Sequence, residues 1–451
     1  MEIIGILNKA NQSKEKTEEA QELEGINLAI STSRIDDSST KFTKSQLENN
    51  LKIYFNGKKD FEITDNNDSS FMVKFNKSNR EYYIDESGSV IKDDKILKIS
   101  DFNGLNKFRD EVNSGNTYEG WYVYLTNDIV IDTEEQWVPI GIYNENGEEF
   151  LWGYKGYSFK GIFDGKNHII NKLYINDSGR GRGLFGFVTY ATIKNIELGD
   201  QCAINSGNET GGIVGNAFSS NILNCINKSS ILSSGYGVGG IVGVSNFCKI
   251  SNCRNSSTVE TTQFHIGGIV GNAYSSNIFQ CGNNGKINGD TSIAGGIIGQ
   301  CNYNQIDECY NIGKVSSNYG QVGGIAGNVT GNLKKISTIN NSYNMSEISG
   351  RIGIGGIIGC GENLCLTNSY NVGKINGSGN TGEIIALKKE NVKMYNNFYL
   401  DSCIDISNKV EGSTQKTYEE MKEIYYLLGN CFMKDVNNIN NGYPVLTWQY
   451  K

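Results

Sequence analysis

A glycine-rich pentapeptide recurs at a nearly fixed interval through much of this 451-residue chain. Its pattern is Gly-Gly-Ile-x-Gly, where x is Val, Ile or Ala. The six copies start at Gly211, Gly239, Gly267, Gly295, Gly323 and Gly355. The first four intervals are 28 residues long and the fifth is 32. A period of this length is typical of stacked structural repeats, so function is expected on a repetitive surface rather than in one pocket.

Four further columns of residues keep the same 28-residue step. The apolar columns alternate at short spacing rather than at helical spacing, which predicts mainly β structure. We expect a right-handed parallel β-helix (solenoid) with 28-residue coils of about three strands each. Ile, Val and Cys should point inward, and each Asn should hydrogen-bond to its copy in the next coil. The columns are Ile222, Ile250, Ile278 and Ile306; Cys225, Cys253, Cys281 and Cys309 (the cysteine ladder); Asn227, Asn255, Asn283 and Asn311 (the asparagine ladder); and Ile231, Val259, Ile287 and Val315.

A five-residue insertion near Gly331–Lys335 breaks this register. After it the columns resume, with Ser342 and then Ser369 replacing cysteine. Because a disulfide framework keeps its cysteines paired, this replacement predicts free, interior thiols. Repeat proteins often place insertions on the working face, so the insertion is a candidate part of a binding surface.

The pentapeptides, together with Gly183-Leu-Phe-Gly186, resemble the GLUG motifs of bacterial surface proteins, including the non-catalytic part of IgA1-specific metallopeptidases. Trp137–Gly141 and Phe159–Gly165 resemble the segments with which such β-helices start, and Asn441–Trp448 resembles their end. The resemblance covers residues 98–450 and implies the fold. It implies little about activity, because proteins with these repeats have different roles.

The N-terminal part of the chain has a different pattern. Residues 8–33 carry a thin apolar stripe among Lys and Glu and are predicted to form a helix. Three short alternating runs, Phe61–Ile63, Phe71–Phe75 and Tyr82–Ile84, predict a small antiparallel sheet with a hairpin turn at Asn76–Asn79. Residues 1–95 are therefore expected to form an α+β module.

This module resembles the soluble part of type IV pilin-like proteins of Firmicutes. The resemblance lies in Gly5–Ala10 and Glu18–Glu22, which match the segment that follows the hydrophobic N-terminal helix of those proteins. It implies that a membrane helix precedes Met1 in the natural protein and that other pilin-like subunits are partners. The alternative, a gene without that helix, stays open.

The C-terminal residues 416–451 are predicted to cap the β-helix of residues 96–415. Thr417 and Glu420 form a capping-box pattern, and Gly429 provides a stop signal. An uncovered end of a solenoid would expose unpaired strand edges and promote aggregation.

Candidate catalytic residues are few. There is no His-Glu-x-x-His zinc motif, and His168 and His265 are each interpreted as structural. Asp307 and Glu308 form the one adjacent acidic pair of the central coils. Neighbouring residues of a strand point to opposite faces, so this pair is poorly placed for acid–base chemistry on one bond. We therefore expect no catalysis, no cofactor and no metal.

Aromatic residues before the β-helix are better candidates. Trp152, Tyr154 and Tyr157 lie in one glycine-containing segment, and alternation would place Trp152 and Tyr154 on one face. Exposed Trp and Tyr commonly anchor sugars and proteins. The alternative is a local cluster that covers the end of the solenoid.

Charge and composition narrow the class of function. A net charge of −8 and the lack of a basic aromatic patch argue against nucleic-acid binding. The sequence favours a non-enzymatic extracellular or cell-surface adhesin, pilus-associated, that binds a host or bacterial surface glycan or protein. Two alternatives remain: a polysaccharide-active β-helix enzyme (a hydrolase or lyase) and a purely structural spacer.

Overall fold

The computed structural model of the protein describes residues 18–30, 43–66, 69–85, 88–149, 155–404 and 412–450. The chain divides into two compact units. The first comprises residues up to Leu97 with Gly120–Val123, and the second comprises Lys98–Glu119 and the residues from Tyr124 onward. Within the described residues, no helix has the length and apolar character needed to cross a bilayer.

The first unit is an α+β module, as the sequence predicts. Its four strands form an antiparallel sheet in chain order: Phe61–Asp65, Phe71–Phe75, Arg80–Ile84 and Val90–Lys92. Helix α1 (18–30) lies within the predicted helix, whose remaining residues are outside the described part of the chain. It contributes Ile26, Ala29 and Ile30 to a core shared with the sheet.

A second helix of this unit, α2 (Lys44–Phe55), is absent from the sequence prediction. It starts at a capping box, in which the Thr43 hydroxyl accepts from the backbone N–H of Gln46 and the Gln46 side chain accepts from the backbone N–H of Thr43. Leu47, Leu51 and Phe55 then follow at helical spacing and are buried in the same core. The signal was present in the sequence, as a capping pattern followed by an i, i+4, i+8 apolar row.

The second unit is a parallel β-solenoid, which confirms the predicted fold class. Successive coils pair in register, for example Ile222 with Ile250 and Ile250 with Ile278. Each complete coil contributes one short strand to each of five sheets. We call the sheet that contains Phe185–Thr189 sheet I and number the others II to V in the order in which the chain then passes through them. The expectation of about three strands per coil is therefore wrong.

The strands are as follows. Sheet I holds Phe185–Thr189, Val214–Phe218, Val242–Asn246, Val270–Tyr274, Ile298–Asn302, Ala326–Thr330, Ile358–Glu362 and Ile385–Lys388. Sheet II holds Ile96–Ile99, Tyr122–Leu125, Ile162–Asp164, Thr192–Lys194, Asn221–Leu223, Lys249–Ser251, Asn277–Phe279, Gln305–Asp307, Ser337–Asn340, Leu364–Thr367 and Val392–Tyr395. Sheet III holds Ile129–Val130, Ile169–Asn171, Glu197–Leu198, Ile226–Asn227, Arg254–Asn255, Gly282–Asn283, Tyr310–Asn311, Tyr343–Asn344, Tyr370–Asn371, Asn397–Leu400 and Ser413–Lys416. Sheet IV holds Tyr174–Asn176, Ala203–Ser206, Ser230–Ser233, Val259–Thr261, Ile287–Gly289, Val315–Ser317, Ile348–Gly350 and Ile375–Gly377. Sheet V holds Thr210–Gly211, Val238–Gly239, Ile266–Gly267, Ala294–Gly295, Val322–Gly323, Ile354–Gly355 and Thr381–Gly382.

Outside these sheets, Ile142–Glu149 pairs antiparallel with Lys155–Tyr157, and Phe432–Met433 with Val445–Leu446. Helix α3 (Phe102–Asn113) belongs to the second unit and packs Phe108 against Phe159 and Phe163 of the first coils. The remaining helices are α4 (Tyr418–Lys422), α5 (Tyr425–Leu428) and the 3-10 turns Asp93–Lys95 and Thr447–Tyr450.

Non-glycine residues in left-handed backbone conformation divide each coil into short strands. Ser219 and Asn224 flank a sheet II strand with φ of 46° and 53°. The bend at the Asn224 position lets Ile222 and Cys225, three residues apart, both point inward with no exposed surface. This confirms the bend that their spacing requires. All four residues of the cysteine ladder are buried.

The asparagine ladder is also confirmed and runs through six coils. Asn283 donates from Nδ2 to Asn311 Oδ1 at 2.8 Å and accepts at Oδ1 from Asn255 Nδ2 at 2.9 Å. The pentapeptide glycines pack against this ladder: a Cβ on Gly268 would lie 2.4 Å from Asn283 Cγ and 2.2 Å from the Gly296 carbonyl oxygen. The repeated Gly-Gly and the repeated Asn therefore have one cause, since each amide needs the space that a side chain would occupy.

The C-terminal segment does more than form a cap. The predicted capping box at Thr417 and Glu420 is present, and Gly429 ends α5 with φ of 86°. The chain then runs back along the outer face of sheet III. There it covers a row of tyrosines that begins with Tyr310, and Trp448 Nε1 donates to the Glu308 carbonyl at 3.0 Å. The tyrosines of this row are Tyr310, Tyr343 and Tyr370.

Candidate functional site

The predicted binding residues are only partly placed by the structure. Trp152 and Tyr154 lie outside the described residues. Tyr157 ends the strand Lys155–Tyr157, and its half-buried ring faces Gly115. The expectation that these three aromatic residues form a binding site stays a prediction.

The acidic pair is engaged in links between coils. Asp307 Oδ1 accepts from Asn341 Nδ2 at 2.8 Å, and Glu308 Oε2 accepts from Gln280 Nε2 at 2.9 Å. Glu308 is in left-handed conformation, with φ of 52°. The two carboxylates thus bond to different neighbouring coils. This arrangement stabilises the backbone corner and does not direct both carboxylates at one substrate.

The two histidines occupy separate places in the solenoid. His168 Nδ1 lies 3.0 Å from Asp128 Oδ1, on the surface of an early coil. His265 has φ of 63°, and burial lowers the pKa of its imidazole. Among the described residues, no group of three or more His, Cys, Asp or Glu side chains is arranged to hold a metal ion.

Five aromatic side chains form a continuous row at the corner between sheets I and II. Each ring contacts the next edge to face, at centroid distances of 5.7, 5.8, 5.5 and 5.3 Å and interplanar angles of 88°, 81°, 77° and 78°. The exposed fraction is 68% for Tyr190, 46% for Phe247 and 36% for Tyr274. We call this row the aromatic stripe; its members are Tyr190, Phe218, Phe247, Tyr274 and Tyr303.

Two members of the stripe are the last residues of sheet I strands. Phe218 and Tyr274 occupy this position in alternate coils. The coils next to them hold Asn246 and Asn302 in the same column, as the strand register shows. Every second coil therefore supplies a ring from the strand end.

The other three members lie one residue further on, at the corner itself. Tyr190, Phe247 and Tyr303 are left-handed there, with φ of 53°, 57° and 60°. In the coils between them the corner residue is Ser219 or Ser275, with φ of 46° and 49°. The strand-end position and the corner position form two neighbouring columns, which we call the stripe columns. In each coil one of these columns holds a ring and the other holds a small polar residue. The rings therefore zigzag between the two columns and form a row without a gap.

The insertion at residues 331–335 lies next to this stripe. It follows the sheet I strand Ala326–Thr330, and Lys335 Nζ lies 3.1 Å from Ser275 Oγ, between two stripe rings. Leu333 at its tip is 84% exposed. The insertion that the sequence singled out and the stripe that it did not therefore belong to one surface.

Sequence analysis missed the stripe because its members do not share a column. The intervals between successive members are 28, 29, 27 and 29 residues. Within either column, the coils between two aromatic residues hold Asn or Ser, so neither column by itself shows a repeated aromatic residue. The available signal was a ring in one of two adjacent positions in every coil from Tyr190 to Tyr303.

Comparison with family models and with curated proteins finds no match. Among solved structures, the chain is similar to a candidate immunoglobulin A1 protease from Bacteroides ovatus, at 20% identity over 79% of this chain and 93% of that one, with a TM-score of 0.39. It is also similar to a structure described as IgA1 protease, at 16% identity and a TM-score of 0.42, over 77% of this chain and 26% of that one.

A third similar structure is PfbA, a surface adhesin of Streptococcus pneumoniae, at 9% identity and a TM-score of 0.27, over 66% of this chain and 80% of that one. At these identities and TM-scores, the three likenesses say nothing about what this chain binds or does.

Proposed function

We propose that the protein is a cell-surface binding protein, an adhesin, that holds a surface glycan or protein along its aromatic stripe. The observation that carries this proposal is the row of five aromatic residues, in edge-to-face contact, with exposed fractions of up to 68%. A contiguous exposed apolar patch commonly marks an interaction site, and rings fixed by their neighbours lose little entropy on binding.

Several features support binding rather than catalysis. The acidic pair Asp307 and Glu308 is occupied by amides of other coils, and neither stripe column holds a carboxyl group from Thr189 to Tyr303. A glycan-cleaving enzyme needs two carboxyl groups that flank one bond. Along the two stripe columns, from Thr189 to Tyr303, the residues are aromatic, Asn, Ser or Thr.

Presentation at the cell surface is the second part of the proposal. It is supported by the resemblance of the repeats to GLUG motifs and of the N-terminal residues to pilin-like proteins, whose subunits would then be partners. An N-terminal α+β unit and a separate repetitive unit suit a division between anchoring and binding. Cell fractionation with an antibody against the β-solenoid tests this part, and recovery only from the cytosol would contradict it.

The binding test uses arrays of glycans and extracellular-matrix proteins. The test variant carries Phe247→Ser and Tyr274→Asn, because Ser and Asn already occupy these columns in neighbouring coils and should not disturb the backbone. The matched control is Phe264→Ser, which removes a ring that is 53% exposed and outside the stripe. We expect the double variant to lose array binding and the control to keep it.

The rival functions give other results. A structural spacer would bind nothing on either array. An enzyme would release reducing ends from a polysaccharide and would lose that activity in Asp307→Asn or Glu308→Gln. The same assay tests the sequence-based candidates through Trp152→Ala with Tyr154→Ala and through deletion of residues 331–335, both of which we expect to weaken binding.

A further inference from the structure

We infer that the ligand of the aromatic stripe is an extended, β-linked polysaccharide that lies parallel to the solenoid axis, about one sugar residue per coil. This inference rests on the proposed function and makes it more specific. It follows from the spacing of the rings, from their alternation and from the side chains beside them.

The spacing of the rings is set by the backbone. Coils of a parallel β-solenoid rise by about 4.8 Å, the distance between strands of a sheet. The zigzag lengthens the step between ring centroids to 5.3–5.8 Å. One sugar residue in an extended β-linked chain has a similar length, so a chain on the stripe can meet one ring per residue without losing register over five coils.

The alternation of the rings has the same period as such a chain. Consecutive planes are turned by 77° to 88°, and every second ring comes from the same backbone position, either the strand end or the corner. An extended β-1,4-linked chain is a ribbon in which consecutive sugars are flipped, so its repeat is also two residues. Aromatic rings bind the C–H faces of sugars, and a flipped neighbour presents a different face to the next ring.

Three of the four side chains beside the stripe are carboxamides and the fourth is a lysine, all of which can hydrogen-bond to sugar hydroxyl groups. The first positions of the adjoining sheet II strands hold Asn221, Lys249, Asn277 and Gln305, and the last three are exposed. Carboxamides both donate and accept hydrogen bonds, as sugar hydroxyls do. No Asp or Glu occupies this column or the two stripe columns from Thr189 to Gln305.

A folded protein is a poorer occupant. Stable protein interfaces bury about 800 Å² per partner. A row one ring wide, with exposed fractions from 36% to 68% at Tyr274, Phe247 and Tyr190, offers only roughly a few hundred Å². A linear polymer needs no greater width, because it gains contact by length.

The test is calorimetric titration of the full chain with β-1,4-linked glucose and N-acetylglucosamine oligomers of increasing length. We expect affinity for at least one series to rise with each added sugar up to about five residues and then to level off. α-1,4-linked glucose oligomers, which coil instead of extending, should not bind. Phe247→Ser, at the centre of the stripe, should weaken binding of the pentamer about two- to tenfold, and Phe264→Ser should leave it unchanged.

The outcomes separate this inference from the function on which it rests. Stripe-dependent binding of a protein, or only of a glycan that is not extended and β-linked, would overturn the inference and leave the adhesin proposal standing. Equal affinity for disaccharide and pentamer would also overturn the axial arrangement. No binding to any glycan or protein would overturn both. Thermal melts of both variants show whether they fold, and Tyr303→Ser at the end of the stripe provides a second, milder substitution with the same expected direction.

Discussion

Replacing one asparagine inside the solenoid should destabilise it far more than the same replacement on its surface. Asn283 is fully buried and makes four hydrogen bonds through its side chain. Two of them join Asn255 and Asn311, and two hold the backbone N–H and C=O of Gly285. Asn283→Ala removes all four.

The magnitude follows from the groups left behind. A buried donor or acceptor without a partner costs about 1–3 kcal/mol. Asn255 Nδ2 keeps its bond to the Ser257 carbonyl at 2.9 Å, which reduces its loss. Asn311 Oδ1 and the two Gly285 groups lose more, so the expected decrease in the free energy of unfolding is about 3–5 kcal/mol.

The control is Asn277→Ala in the same coil. Asn277 is exposed at the start of its strand, so its loss should change stability by no more than about 0.5 kcal/mol. Urea unfolding followed by circular dichroism measures both variants. Similar midpoints for Asn283→Ala and Asn277→Ala would show that the asparagine ladder does not stabilise the coils and would refute the argument.

Three further predictions follow from burial. Ile278→Asp should lower the melting temperature far more than Lys286→Asp, because Ile278 is 1% exposed whereas the Lys286 side chain is 49% exposed; equal shifts would contradict the assigned faces. The four thiols of the cysteine ladder should titrate as free in denaturant and react slowly in the native protein, because all four are fully buried; intact masses that show disulfides would contradict this. Burial lowers the pKa of His265, so the folded protein binds fewer protons there than the unfolded chain and loses stability as the pH falls below about 6.5. His265→Asn should flatten this part of the plot of stability against pH. An unchanged slope would show that this histidine is not responsible.

The interior of the solenoid could be predicted because each interior position repeats one residue type. A column such as Ile222 to Ile306 keeps its residue in every coil, and so does the asparagine ladder. Parallel in-register stacking forces equivalent residues into contact, so a column that suits one coil suits the next. The inward-facing residues and their hydrogen-bond partners were therefore expected correctly.

The number of strands could not be predicted in the same way. The corners on either side of sheet II are formed by Ser219, Asn224 and equivalent residues in left-handed conformation, without glycine or proline to mark them. Such residues are compatible with a strand until the neighbouring coil is known, because the hydrogen bonds that hold the corner come from that coil. Asn224 Nδ2, for example, donates to Asn195 Oδ1 at 3.1 Å.

Contacts between segments that are distant in the chain could not be predicted from the sequence either. The C-terminal segment reaches back to sheet III, where the Tyr343 hydroxyl donates to Gln449 Oε1 at 3.0 Å. Nothing in the spacing of Tyr310, Tyr343 and Tyr370 indicates that another part of the chain covers them. This face is closed by the protein itself, whereas none of the described residues closes the corner that carries the aromatic stripe.

The difference between those two aromatic rows is the strongest argument that the stripe is used. Both consist of rings that contact one another from coil to coil, edge to face in the stripe and stacked in the tyrosine row, so both are consequences of the same solenoid geometry. Tyr343 and Tyr370 are fully buried under the C-terminal segment and stabilise the fold. Within the part of the chain that the structure describes, Tyr190 and Phe247 expose 68% and 46% of their surface. Because the backbone fixes the step between neighbouring rings, the stripe is arranged for its ligand before binding, and little conformational entropy remains to be lost. A ligand that repeats along its own length at about the same step gains from every coil, which is why the dependence of affinity on chain length tests the function more sharply than affinity alone.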